Sequence, residues 1–322
     1  MFYDKNRSGY GLHLRRKRAI YVIVVVIAVV VIVAIPVPYI SKAIGSAKSE
    51  RKELLRLWDA GAFEDVFNLS KTALESKPMD YFLLTLHGFS AYQMGISQIN
   101  NLDRLNFFDE CIMSLRKALL LKQSADDGRV YYVLGKAYSY KDNYADYAVQ
   151  YLERARTLSY QAADIPEYLG IAYAAIGDYR SSVAAFAEAL EPPAEADNGD
   201  AFSSGNPPYL LLLSIARSYS ALNEFEAARA YLLRCIEISP DSKTKVAARL
   251  LLAEILQEMG ESRSAEDQYL AILDEAGENA EAHYQLGEIY AQQGDATKAR
   301  SEWRLAYRTD PAHAKARARL NM

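Results

Sequence analysis

The chain is poor in the residues that do chemistry. Its 322 residues include two cysteines, Cys111 and Cys235, and four scattered histidines, His13, His87, His283 and His313. Two cysteines 124 residues apart supply neither a disulfide framework nor metal-ligand spacing. No metal and no cofactor is therefore expected, and both thiols read as small core residues. His283 is followed by Tyr284, Gln285 and Leu286, not by the Glu-x-x-His of zinc proteases. There is no Gly-x-Ser-x-Gly, and Gly135-Lys136 runs on into Ala137 without phosphate-loop spacing before it. Acid pairs such as Asp126-Asp127 read as solvated turn residues. No catalytic residue stands out, so the chain is expected to be no enzyme. Ten prolines and 51% hydrophobic residues exclude a low-complexity chain.

Charge is unevenly spread. Residues 1–52 hold ten basic and two acidic side chains, and the remainder holds 27 basic and 39 acidic ones. A nucleic-acid binder would carry its basic patch on the folded body, so no nucleic acid is expected as a partner. A basic head before an apolar run reads instead as a topology signal. Residues 19–41 carry no charged side chain, and thirteen of the seventeen from Ala19 to Ile35 are Val or Ile. As a helix, Ala19 to Ile40 would span about 33 Å, close to the hydrocarbon thickness. At roughly −0.3 to −0.6 kcal/mol per Val or Ile, insertion is favoured by about 4–8 kcal/mol. Tyr21 and Tyr39 flank the run, and Pro36 and Pro38 mark its end. A cleaved signal peptide is the alternative, but its apolar core would be only about 7–15 residues. The expectation is a single-pass anchor over 19–41. Residues 1–18, with Arg15-Arg16-Lys17-Arg18, would then lie in the cytoplasm and the rest outside it.

The body repeats with a period of 34 residues. From Ala280, Leu286, Gly287, Tyr290, Gly294, Ala299, Trp303, Ala306 and Pro311 fall at positions 7, 8, 11, 15, 20, 24, 27 and 32 of that frame. Frames starting at Val246, Tyr209, Ala163, Gly128 and Ala47 repeat the pattern. The unit from Tyr81 to Asp127 fits worst, because about eleven residues are inserted near 96–106. A lengthened helix pair or a protruding loop is expected there. The pattern resembles the tetratricopeptide repeat (TPR), whose signature is Leu-Gly, then Tyr, then Ala, an aromatic residue and Pro. The resemblance implies an all-α, right-handed superhelical solenoid of about seven helix-turn-helix repeats, preceded by the one transmembrane helix. Repeats one to four would occupy 47–196 and repeats five to seven 209–313, with a basic capping helix over 314–322. The polar stretch 197–208 between the blocks reads either as a surface loop or as a hinge.

In this family the first helix of each pair lines a concave groove that binds other proteins, mostly through positions 2, 5, 9, 12 and 13. Carried onto this chain, those positions, with Tyr92 close by, place Arg51, Trp58, Phe82, Phe89, Tyr92, Arg129, Tyr132, Lys136 and Tyr140 in the first three repeats. Asp164 and Glu167 follow in the fourth, and Glu254, Glu258, Glu281 and Glu288 in the last two. The groove is expected to be aromatic and basic at one end and acidic at the other, although several of the aromatics could instead pack between helices. The carboxylate-holding set of the chaperone-binding members is not seen. Layout and resemblance together suggest a bacterial inner-membrane protein with periplasmic repeats that assembles or stabilises an envelope complex, such as a flagellar motor collar. A chaperone-like factor at the secretion channel and an organelle import receptor with cytosolic repeats remain alternatives.

Overall fold

A computed structural model describes residues 49–121, 126–190 and 208–321. The anchor expected over 19–41 and nearly all of the 197–208 stretch lie outside the described residues. Among the described residues, no helix is long and apolar enough to cross a membrane. Fifteen helices and no strand are found among them. The chain divides into two compact units that meet between Pro78 and Met79 in sequence.

The first unit contains helix α1 (residues 49–59) and α2 (Phe63–Ser76). Leu54 from α1 and Val66, Ser70 and Ala73 from α2 are buried. Trp58 meets Phe63 edge-on, with ring centroids 5.1 Å apart. Lys77 closes the pair onto Glu50 at 2.7 Å.

The second unit stacks six further pairs. These are α3 (Tyr81–Ser97) with α4 (Asn101–Leu119), and α5 (Gly128–Ser139) with α6 (Ala145–Thr157). Next come α7 (Ile165–Ala175) with α8 (Tyr179–Leu190), and α9 (Tyr209–Ala221) with α10 (Phe225–Ile238). The last are α11 (Ser242–Glu258) with α12 (Ser262–Ala276), and α13 (Ala280–Gln292) with α14 (Ala296–Thr309), followed by α15 (Ala314–Leu320). The second helix of each pair packs on the first helix of the next. No pair could bury its apolar face alone, so each shares its core with its neighbours.

The repeat frame explains the packing within a pair. A methyl group built on Gly88, Gly135 or Gly287 at position 8 would lie 2.5 Å from Leu115, Leu152 or Trp303 respectively, and one on Gly170 would collide with Phe186. Each of those bulky side chains stands at position 24 of its frame, and each is buried. At position 20, where most repeats have Ala, the fourth has Ser182. Its hydroxyl donates to the Gly170 carbonyl at 2.8 Å and lies 2.9 Å from the Ser218 hydroxyl, so the buried polar group is satisfied.

The turn inside each regular pair has one residue with positive φ. It is Gly61 (φ 73°) in the first pair and Gly177 (φ 81°), Gly260 (φ 78°) and Gly294 (φ 85°) in the fourth, sixth and seventh, but Asn143 (φ 65°) and Asn223 (φ 57°) in the third and fifth. Asn tolerates this left-handed region better than other side-chain-bearing residues. The residue after it then reaches back, as Asp295 N–H does to the Tyr290 carbonyl at 2.8 Å. Helix starts are capped by Asp80, Asn100, Asp127, Asp241, Asn279 and Asp295, whose side chains accept backbone N–H bonds.

The irregular second pair takes its extra residues as helix, with 17 in α3 and 19 in α4. All residues from Leu83 to Tyr92 are buried, as befits a helix that is apolar nearly all round. Its polar members turn inward on their own backbone. The Thr85 hydroxyl donates to the Tyr81 carbonyl at 2.9 Å and that of Ser90 to the His87 carbonyl at 3.0 Å.

Gly287→Ala should cost about 1–3 kcal/mol by overpacking, and Trp303→Ala about 3–5 kcal/mol by core truncation. In the double variant the new methyl group enters space the indole has left, so the cost should be less than the sum of the two. Urea unfolding of the three variants checks this; strict additivity would show that the two residues do not share one gap.

Candidate functional site

The first helices of successive pairs approach one another, α3 to α5, α5 to α7, α7 to α9 and α9 to α11. They therefore form the inner side of the stack, and the frame assigns the groove positions to this side. Tyr132 and Lys136 on α5 and Tyr140 at its C-cap are spaced four residues apart and share one face.

Lys136 is the centre of the best-ordered group on this face. Its ammonium lies 2.6 Å from Asp164 Oδ2 and 3.0 Å from the Tyr132 hydroxyl. It also stands over the rings of Tyr168, Tyr132 and Tyr92, at 4.6, 4.9 and 5.6 Å from their centroids. Such contacts favour a cation when it is withdrawn from water, and the Lys136 side chain is 12% exposed. The Tyr132 hydroxyl donates to both carboxylate oxygens of Asp164, at 2.7 and 2.9 Å. Burial and then the Asp164 charge hold that phenol well above its ordinary range. Burial foremost also pushes up Tyr92 and Tyr168. Glu167 is raised by burial and by Asp164, against the pull of Lys136. On the outer edge of the group, Tyr140 stacks on Phe108 at 4.5 Å and its hydroxyl lies 3.2 Å from that of Tyr168.

The remaining candidates fare differently. Arg129 is drawn onto Asp127, with Nε 3.2 Å from Oδ1, and Asp127 also accepts from the Tyr81 hydroxyl at 2.8 Å. Arg51, Trp58 and Phe82 are half-buried. Phe89 and Tyr92 are each 6% exposed. They belong to the packed interior, because the lengthened second pair turns α3 into a buried helix, and they present little ring surface to a partner. The basic character expected at this end is locally neutralised, Lys136 by Asp164 and Arg129 by Asp127.

At the other end the carboxylates are gathered under α15. Arg319 holds Glu288 with both oxygens, at 2.8 and 2.5 Å. The His313 Nε2 lies 3.1 Å from Glu281, while its Nδ1 accepts the Ala316 N–H and caps α15. That bond makes Nδ1 the unprotonated nitrogen and Nε2 the donor. Lys315 stands 5.7 Å from the Tyr284 ring centroid. Glu254 and Glu258 stay exposed. Partial desolvation of the carboxyl group by its surroundings and then the Glu281 charge raise the Glu254 carboxyl, and Lys315 opposes them.

Two exposed apolar residues on the same side were not singled out in the sequence. Ile171 (40% exposed) occupies position 9 on α7, and Leu210 (57% exposed) occupies position 2 on α9. The position number was the available signal, and a search for charge and aromaticity passed over it. No group of His, Cys, Asp or Glu among the described residues could hold a metal ion.

A raised carboxyl takes up its proton more readily in the folded chain than in the unfolded one. The folded state therefore loses stability as pH rises through the range above the ordinary value of 4.5. Glu254→Gln lacks that loss. It should melt higher than the parent chain near pH 7, and the difference should shrink as pH falls below 4.5. Thermal unfolding at several pH values checks this, and a variant less stable at pH 7 would contradict the placement of Glu254 beside Glu281.

Comparison with known proteins adds a fold and a repeat type. Residues 210–242 and 250–314 match family models of the tetratricopeptide repeat. The structure of the C-terminal part of a TPR repeat-containing protein from Cytophaga hutchinsonii superimposes with a TM-score of 0.59, at 14% identity, over 84% of this chain and 100% of that one. PilW, described as a widely conserved type IV pilus biogenesis factor, superimposes with a TM-score of 0.54, at 19% identity, over 72% of this chain and 98% of that one. No curated protein matches the sequence. At these identities the likeness is one of fold.

Proposed function

We propose that the chain, which carries tetratricopeptide repeats, is a non-catalytic protein-interaction scaffold whose inner groove receives a segment of another protein. The observation that carries this reading is the run of exposed apolar groups at groove positions of three successive first helices. Tyr140, Ile171 and Leu210 are 39–57% exposed although they neighbour a well-packed core. Apolar anchors of this kind supply most of the energy of peptide capture, and charges around them set its direction. The exposed carboxylates Glu254 and Glu258 favour a basic stretch in the portion of the partner that passes α11.

The finer reading is a single-pass protein of a bacterial inner membrane, anchored by residues 19–41, with residues 1–18 cytoplasmic and the repeats in the periplasm. Its support is the uncharged Val/Ile run and the Arg15-Arg16-Lys17-Arg18 cluster before it. In that setting the scaffold would assemble or stabilise an envelope complex, with a flagellar motor collar as one candidate.

Photo-crosslinking in cells from position 171 tests the groove. A scaffold should yield one partner in stoichiometric amount, and Ile171→Asp with Leu210→Asp should lower the yield at least tenfold with helical content intact. Undiminished capture would refute the groove, and weak capture of many unfolded clients would favour the chaperone-like reading. For topology, a reporter fused after Met322 should be active outside the cytoplasm, and activity confined to the cytoplasm would refute the orientation.

A further inference from the structure

The outer face of α4 is used by neither the core nor the groove. Leu102, Met113 and Leu120 are 67%, 48% and 77% exposed. With Asn106, Asp109 and Lys117 they form one stripe, because successive members are three or four residues apart. The stripe runs for about 27 Å at 1.5 Å per residue. Beside it lies a cleft of ≈ 790 Å³ whose lining includes Met113, Arg116, Leu120, Lys141 and Tyr144. Isolated exposed aliphatics are unremarkable, but three on one helix face, interleaved with charges of both signs, mark an interaction surface.

The order of charges along the stripe indicates what covers it. Two acids, Asp109 and Glu110, precede Met113 by four and three residues, and two bases, Arg116 and Lys117, follow it by three and four. We propose that this face binds a second copy of the chain, with the two α4 helices antiparallel about a two-fold axis that passes beside Met113. In that arrangement Asp109 faces Arg116 of the second copy, and Glu110 faces Lys117 of the second copy. Both pairs occur twice, as an isologous contact requires. The centre is apolar, Met113 against Met113 of the second copy. A parallel arrangement would set like charges against like. An anionic lipid surface would be attracted by bases alone, and here two acids cancel them. Asp109 already pairs with Lys141 and Arg116 with the Tyr138 hydroxyl, so the charged groups are held in place before the copies meet. Tyr144 and Tyr147, both exposed, extend the contact at its rim. This inference does not depend on the groove.

The test uses the full chain in its membrane or in detergent. Met113→Cys should form a disulfide-linked dimer on mild oxidation at least ten times faster than Leu233→Cys. Leu233 is an equally exposed position on α10 of the same chain, so exposure and chain concentration are matched. The native Cys111 and Cys235 are buried and should not contribute. Adding Arg116→Glu/Lys117→Glu to the Met113→Cys chain should slow the dimer at least tenfold. Mixing that chain with one carrying Asp109→Lys/Glu110→Lys/Met113→Cys should restore linkage between the two, with circular dichroism showing both folded. Linkage no faster than the Leu233→Cys control, or insensitive to the charge reversals, would overturn the proposal.

Discussion

One close approach recurs throughout the second unit, a small residue at position 8 pressed against a large one at position 24. Gly135 on Leu152 and Gly287 on Trp303 are two instances. The approach sets the distance and rotation between the helices of a pair, and the shared core between pairs follows from it. Because each pair is held in the same way, the first helices all come to one side. The groove of the second unit is therefore a by-product of a packing rule applied in six successive pairs.

The groove does not carry the simple gradient of charge that its residue types suggest. Lys136 and Asp164 lie 28 residues apart in sequence and belong to different pairs, yet they bond across the seam. The ammonium is enclosed by three phenol rings and a carboxylate, so its charge adds order to the seam more than attraction to the surface. At the far end α15 plays a similar part, since Arg319 neutralises Glu288 and His313 holds Glu281 by a hydrogen bond. What is left open to a partner is mostly apolar in the middle and acidic at α11.

The repeat frame was legible because it depends on side-chain volume, which a sequence states directly. The turns were partly legible. Gly177 and Gly294 announce themselves, whereas Asn143 and Asn223 hold the same left-handed conformation and pass as ordinary polar residues. The interior places of Phe89 and Tyr92 were harder, because an aromatic residue at a groove position looks the same whether its helix is exposed or enclosed. Enclosure of α3 comes from the whole surrounding packing, which position numbers do not encode. The neutral character of the Lys136 group was missed for a related reason, since charges were counted within repeats and the bond runs between them.

Each pair packs mainly on the pair before and the pair after it. Such a stack behaves mechanically as links in series. A load applied at one end of the second unit passes through every seam in turn and is shared by none, so the weakest seam sets the force the stack can bear. A seam that carries a charge-assisted bond, like the Lys136–Asp164 bond between α5 and α7, would hold while plainer ones yielded. A protein of this build can lengthen under strain by opening one seam and recover by closing it, with the rest of the stack still folded.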